Sequence, residues 1–174
     1  AGYFKHPTFF ESVAPVNGTQ FSHKLSQLLN SIRKGEAEDL INREWFLNLV
    51  EKIIFHEYGN YVALNSISSV KWATRKELLA RLQVAKQYMN DSFLQIKEIA
   101  EVAAVSNLSE FHFYRSFKEA FGITPYQYLL NCRLNLAKDL IKQNNQSLSS
   151  IAMACNFLDL FTFSKAFKRT FGVF

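Results

Sequence analysis

Residues 111–122, FHFYRSFKEAFG, return at 161–172 as FTFSKAFKRTFG, so that one aromatic, basic, glycine-terminated segment is written twice in a single chain. In both, phenylalanine recurs at every fourth residue: Phe113, Phe117 and Phe121, then Phe163, Phe167 and Phe171. At about 100° per residue this spacing gathers the rings, with Ala120 in the first segment, on one side of a helix. Those rings are expected to be core. Opposite them lie Phe111, Arg115 and Lys118, flanked by His112 and Glu119; the second segment places Phe161, Lys165 and Lys168 there, flanked by Thr162 and Arg169. A ring on an otherwise cationic outer face is not explained by the helix's own core.

Working outward, the chain matches itself at a shift of 49 residues from Ile99 and of 50 from Phe111, one inserted residue in the second copy reconciling the two. Ile99, Val102 and Ala103 pair with Leu148, Ile151 and Ala152, and Asn107-Leu108 pairs with Asn156-Phe157. A register that pairs Ile99-Ala100 with Ile151-Ala152 needs a longer insertion and loses the asparagine match. Each copy therefore reads as a short helix, a tight turn and a second helix. Asparagine suits the turn because it tolerates a left-handed backbone better than most side chains. Ser109 and Asp159 are expected to cap the second helices, and Gly122 and Gly172 to end them. This is the helix-turn-helix arrangement, whose second helix commonly lies in the DNA major groove.

Between the copies runs ITPYQYLLNCRLNLAKDLIKQ, with Thr124 as cap, Pro125 at the first helical position and Gln127 completing a capping box. Leu129, Leu130, Leu134, Ala137, Leu140 and Ile141 form one apolar stripe. A helix of about 18 residues would span roughly 27 Å. Such a rod can hold two reading helices close to one DNA turn apart, about 34 Å, so that one chain reads two successive major-groove segments.

The whole sequence of 174 residues, 48% apolar, is long enough for a sizeable core, and no apolar run approaches a membrane span. It reads as soluble and cytoplasmic. Net charge is +5, and from Phe111 onward eight Lys/Arg stand against three Asp/Glu, a placement that suits a polyanion. Cys132 and Cys155 lack metal-ligand spacing and fall in apolar helical patterns, so they read as reduced buried thiols. No catalytic, metal or cofactor motif is present: no GxSxG, HExxH, P-loop or CxxC. The expectation is a non-enzyme without cofactors.

Upstream, the first twenty residues read as irregular, and Leu25, Leu28, Leu29 and Ile32 suggest a helix from Ser22 ending at Gly35. A second helix is expected from about Glu36 to Tyr58, with Leu40, Leu47, Val50 and Ile54 inward and Gly59 beyond its end, followed by a loop with short helical turns over 61–72. Thr74 and Glu77 form a capping-box pair that would start a helix through Leu78, Leu82, Ala85 and Met89. A bend near Asn90, Asp91 and Ser92 divides the chain into 1–90, a helical linker or dimerisation segment, and 91–174, the duplicated module. Within that module the first helix-turn-helix covers about 94–122, the connecting helix about 125–143, and the second helix-turn-helix about 147–174. The fold class is all-α.

At SEFHFYRSFKEAFGITPYQYL, RLNLAKDLI and IAMACNFLDLFTFSKAFKRTFG the chain resembles the AraC/XylS family of bacterial transcription activators, over about residues 85–174. The resemblance implies a double-stranded DNA-binding transcription regulator that recruits RNA polymerase. It places base-reading positions at Phe111, Tyr114 and Arg115 in the first copy and at Leu160, Phe161, Ser164 and Lys165 in the second. His112, Lys118, Lys168 and Arg169 are the candidates for phosphate. Leu160 falls toward the core side of the helical wheel. Asn156 stands where the family has a turn glycine, and Lys165 where it commonly has arginine, which gives up bidentate guanine recognition. The Thr/Ser-Pro segment that follows the first copy has no counterpart after Phe174, so the chain reads as a truncation of the pattern. Family members commonly carry a small-molecule effector domain before the helices, and residues 1–90 resemble the helices that would follow one. Two other readings stay open: a helical regulatory module that forms a homodimer through residues 22–90 with residual DNA binding, and DNA-repair methyl transfer, for which Cys132 inside a helix is a poor nucleophile.

Overall fold

Asn107 and Asn156 both adopt a left-handed backbone, with φ of 53° and 61°, and among the described residues no other non-glycine residue does so. A computed structural model describes residues 30, 33–34, 43–68, 71–143 and 145–172. Its helices are α1 (Arg43–Ser66), α2 (Trp72–Ser92), α3 (Ile99–Val105), α4 (Glu110–Phe121), α5 (Pro125–Gln143), α6 (Leu148–Ala154) and α7 (Leu160–Phe171), and the described residues are all-α. The left-handed asparagines end α3 and α6 in the same way. After α3, Asn107 N–H donates to Ala104 C=O (3.0 Å) and Leu108 N–H to Ala103 C=O (3.3 Å). After α6, Asn156 N–H donates to Met153 C=O and Phe157 N–H to Ala152 C=O, both at 3.0 Å. These paired bonds are a Schellman closure, which needs one residue at positive φ to reverse the chain toward the next helix.

The second helix of each copy then starts and stops as its sequence directs. His112 N–H donates to Ser109 Oγ (3.4 Å) at the start of α4, and Thr162 N–H to Asp159 Oδ1 (2.6 Å) at the start of α7. Gly122 and Gly172, at φ of 75° and 76°, close the two helices. Thr124 and Gln127 form their reciprocal box ahead of α5, Thr124 N–H donating to Gln127 Oε1 (3.0 Å) and Gln127 N–H to Thr124 Oγ1 (3.2 Å).

The chain divides into two compact units, Ala1–Val84 and Ala85–Phe174. In the second unit the phenylalanine ladders are the core: Phe113, Phe117 and Phe163 are fully buried, and Phe167 nearly so. Their geometry repeats between copies. Phe113 and Phe117 lie 5.4 Å apart and Phe117 and Phe121 4.6 Å, against 5.5 Å for Phe163 and Phe167 and 4.7 Å for Phe167 and Phe171. Leu134 and Ala137 of α5 join Ile151, Ala152, Cys155, Phe163 and Phe167 in the second copy's core. The small residue of each Ile/Val-Ala pair, Ala103 or Ala152, is buried where the helices meet.

The duplication reaches further upstream than the helix-turn-helix pairs. RLQVAK at 81–86 in α2 matches RLNLAK at 133–138 in α5, with Leu82, Ala85, Leu134 and Ala137 all fully buried. Lys86 Nζ lies 4.7 Å from the Phe121 ring centre, and Lys138 Nζ 4.9 Å from that of Phe171, so each copy closes its aromatic ladder with a lysine from the preceding helix.

In the first unit three expectations are corrected. Helix α1 does not stop at Tyr58 but passes through Gly59 to Ser66, so 61–66 continues that helix where short helical turns within a loop were expected. Glycine in a helix costs about 1 kcal/mol relative to alanine. Burial of Ala63 and Leu64 in the following turn offsets it. Leu47 and Ile54, expected inward, are about half exposed, while Val50 is half-buried. Finally, Thr74 does not cap α2: the helix begins at Trp72, and Arg75 N–H donates to Lys71 C=O (3.1 Å). Starting earlier adds backbone bonds that outweigh a capping box worth about 1 kcal/mol. Leu78, Leu82, Ala85 and Met89 are buried as expected. Of the helix expected over Ser22–Gly35, only Asn30, Arg33 and Lys34 are among the described residues; the rest of it, the first twenty residues and Leu40 lie outside them.

The left-handed turn yields a stability prediction. Asn107→Val should destabilise the protein by about 1–2 kcal/mol more than Asn107→Gly, because a β-branched side chain at positive φ meets the following carbonyl and glycine does not. Chemical denaturation of the two variants measures the difference.

Candidate nucleic-acid interface

With one side of α4 and α7 filled by phenylalanine, the residues turned away from the core follow from the helical period. Phe111 is 79% exposed and Phe161 78%. Neither is sealed in the protein. Beside Phe111, the side chains of His112, Tyr114, Arg115 and Lys118 are all exposed; beside Phe161 are Lys165, Lys168 and Arg169, also exposed, with Ser164 half-buried. Leu160, assigned by the helical wheel to the core side, is instead 40% exposed at the first position of α7.

The two outer faces differ in charge. Arg115 Nε donates to Glu119 Oε1 at 3.0 Å, an exposed pair one helical turn apart that aligns the guanidinium along α4. At the position of Glu119 the second copy carries Arg169, and α7 holds no carboxylate. Asp159, just before it, is committed to the cap: Thr162 N–H and Thr162 Oγ1–H both donate to its carboxylate and hold the carboxyl below the usual carboxylate range. Three cations therefore stand on α7 with no acidic neighbour on the same helix.

Helix α5 connects these faces and packs against α4, α6 and α7. Its 19 residues span roughly 28 Å at the usual rise. Arg133, midway along α5, donates from Nε to Phe93 C=O (3.0 Å) and from a terminal nitrogen to Ile96 C=O (2.7 Å). Asn156, in the turn of the second copy, donates from Nδ2 to Leu94 C=O (3.2 Å). Both the connecting helix and the second turn are thereby fastened to residues 93–96 at the entrance of the first copy.

The matching region has known relatives. A family model described as "Helix-turn-helix domain" matches residues 102–174. The chain is 30% identical over 152 residues to a protein of Photobacterium leiognathi named "Probable transcriptional regulator LumQ", an alignment covering 87% of this chain and 57% of the relative. It is 32% identical over 159 residues to "Uncharacterized HTH-type transcriptional regulator YidL" of Escherichia coli K12, covering 90% and 49%, and 36% identical over 110 residues to "HTH-type transcriptional activator RhaS" of Klebsiella pneumoniae, covering 63% and 39%. A crystal structure described as a probable AraC family transcriptional regulator from Rhodopseudomonas palustris shares the fold, with a TM-score of 0.50 at 19% identity over 53% of this chain and 87% of that one. Residues 102–174 match the helix-turn-helix domain family. The chain spans about half the length of the curated relatives it matches.

Two features of this helix-turn-helix domain leave little mark in the sequence pattern. Arg133 gave no signal except its match to Arg81 in the upstream repeat, and Asn156 was read only for its backbone, not for the side-chain bond to Leu94. Of the two cysteines expected to be buried, Cys155 is, whereas Cys132 is only half-buried; its partial burial still pushes the thiol up despite Lys86 nearby. Tyr128, which donates to Asn90 Oδ1 at 2.7 Å, is pushed up to about 12 by burial and stays neutral.

Arg133→Ala should remove two charge-assisted bonds and destabilise the protein by about 2–3 kcal/mol in urea unfolding. Hydrogen exchange at residues 93–96 should quicken in the same variant, since the guanidinium that donates to the Phe93 and Ile96 carbonyls is gone.

Proposed function

We propose that the protein is a sequence-specific, double-stranded DNA-binding transcription regulator of the activator type, laying α4 and α7 in successive major-groove segments. The observation that carries this reading is the pair of matched helices that bury the first two rings of each ladder, and half-bury the third, yet leave Phe111 and Phe161 about four-fifths exposed among cations. The roughly 28 Å length of α5 is comparable with one DNA turn, about 34 Å. In this reading Phe111, Tyr114 and Arg115 meet bases in the first segment, and Phe161, Ser164, Lys165 and Leu160 in the second. His112, Lys118, Lys168 and Arg169 meet phosphate.

The activator role draws support from relatives named as transcriptional activators, and RNA polymerase is the partner such a role requires. A small-molecule effector would act through a region outside the described helices. Cytoplasmic location follows from the DNA partner, and no helix among the described residues is long and apolar enough to cross a membrane. No enzymatic role is proposed; a raised thiol at Cys132 disfavours the methyl-transfer alternative, which requires a thiolate.

A second reading concerns assembly. Leu47, Ile54, Phe55 and Val62 are exposed on α1 and lie within about 100° of one another around the helix. Such a stripe is the shape of a helix–helix seam, so the protein is proposed to dimerise through the segment 22–90. Sedimentation equilibrium of the full chain should give a dimer, and Ile54→Glu with Phe55→Glu should return it to a monomer; a monomeric parent refutes the seam.

For DNA binding, Arg115→Ala should change which sequences the protein selects from a randomised duplex pool, whereas Lys168→Ala should weaken all sequences alike and lower the salt slope by about one counterion. Selection without any preferred sequence would refute the function. An unchanged preference in Arg115→Ala would remove that residue from base reading.

A further inference from the structure

We infer that the tip of the second copy reads thymine methyl groups, and that Leu158 is one of the side chains that does so. The inference rests on the DNA-binding reading above and specifies what its second half recognises.

Leu158 is the residue inserted in the second copy. The shift of 49 residues holds through the turns, from Asn107-Leu108 to Asn156-Phe157, and the shift of 50 begins at the helix caps, Ser109 and Asp159. Leu158 falls between and has no counterpart. It is 97% exposed, more than any other large apolar side chain among the described residues, in the turn leading directly into α7. Leu160 and Phe161 follow at the first two positions of that helix, both exposed. In the first copy the position of Leu160 is held by Glu110, also exposed. The leading end of α7 thus presents three apolar side chains where that of α4 presents one aromatic ring beside a carboxylate.

A leading end of this composition can match little in a major groove. Base edges there carry donors and acceptors at every pair, and the thymine C5 methyl is the apolar exception. Leucine and phenylalanine offer no hydrogen bond, so over a G·C pair they would strip water from polar edges and replace nothing. Over a thymine they bury a methyl. Attraction to the duplex is supplied separately by Lys168 and Arg169, which contact phosphate whatever the sequence. The division of labour is then physical: α4, with Arg115 held by Glu119, discriminates by hydrogen bonding, and the leading end of α7 by apolar contact.

The test uses the full chain and the duplex it selects from a randomised pool. Each thymine of that duplex is replaced in turn by deoxyuridine, which removes only the methyl, and affinity is read by fluorescence anisotropy. One or more positions should lose affinity about fourfold, the worth of one buried methyl. That loss should shrink toward none in Leu158→Ala or Phe161→Ala and persist in Phe111→Ala, a coupling that a double-mutant cycle isolates. Leu158 is wholly exposed, so its replacement leaves the fold intact, and circular dichroism checks this. If every deoxyuridine duplex binds as tightly as its parent, the methyl reading is overturned while sequence-specific binding stands. An undiminished loss in Leu158→Ala overturns the part assigned to Leu158, as does a Leu158→Ala phenotype confined to protein–protein contact. Failure to select any sequence overturns the DNA-binding reading, and this inference with it.

Discussion

The ladder of phenylalanines on the second helix of each copy is the constraint from which the rest of the domain follows. Rings at every fourth residue drift slowly around a helix that turns every 3.6, so three of them cover one side and nothing else fits there. Phe113, Phe117 and Phe163 are fully buried, and their edge-on and tilted contacts near 5 Å are the geometry aromatic rings favour. Once that side is committed, the phase of Phe111, Arg115 and Lys118, or of Phe161, Lys165 and Lys168, is no longer free. They must face away. The exposed ring on each helix is thus a consequence of where the buried ones sit.

The turns convert this local phase into a fixed presentation. A Schellman closure at Asn107 or Asn156 sets the angle at which the first helix of a copy hands the chain to the second, and the caps at Ser109 and Asp159 fix where the second helix begins. One residue more or less between turn and cap would rotate the outer face by about 100° if it were absorbed in the helix. The inserted Leu158 is absorbed in the turn instead, which is why α4 and α7 keep equivalent faces despite a changed spacing.

Most of this was legible in the residues themselves because it depends on local rules: helical period, cap chemistry, and the few side chains that accept positive φ. Both asparagine turns, the Thr124–Gln127 box and the extent of α5 follow such rules. What was not legible depends on contacts between distant parts of the chain. Gly59 and the Thr74–Glu77 pair looked like a stop and a start because each has that meaning in isolation. Burial of Ala63, Leu64 and Ile67 then carried α1 past the glycine. The bonds from Arg133 and Asn156 to carbonyls at 93, 94 and 96 leave no trace in periodicity, since any donor at the right place would serve. The outward direction of the candidate interface was legible in the wheel; Leu158 was not, because an insertion inside a turn carries no phase.

Those long-range bonds bear on how two modest recognition surfaces act as one. A second contact made by a linked module gains from effective concentration only if the linkage holds it near the geometry that contact needs. A helix of 19 residues sets the distance but leaves rotation about its axis to be settled at the junctions. Arg133 grips the entrance of the first copy from the middle of α5, and Asn156 reaches the same segment from the second turn, so rotation of one copy about α5 would break bonds at both places. The ordering cost that binding would otherwise carry is met during folding. If the second face reads by apolar contact as proposed, which tolerates no hydrogen-bonded correction of a misplaced helix, that rigidity would let the grip of Arg133 and Asn156 on residues 93–96 define the position of Leu158, Leu160 and Phe161.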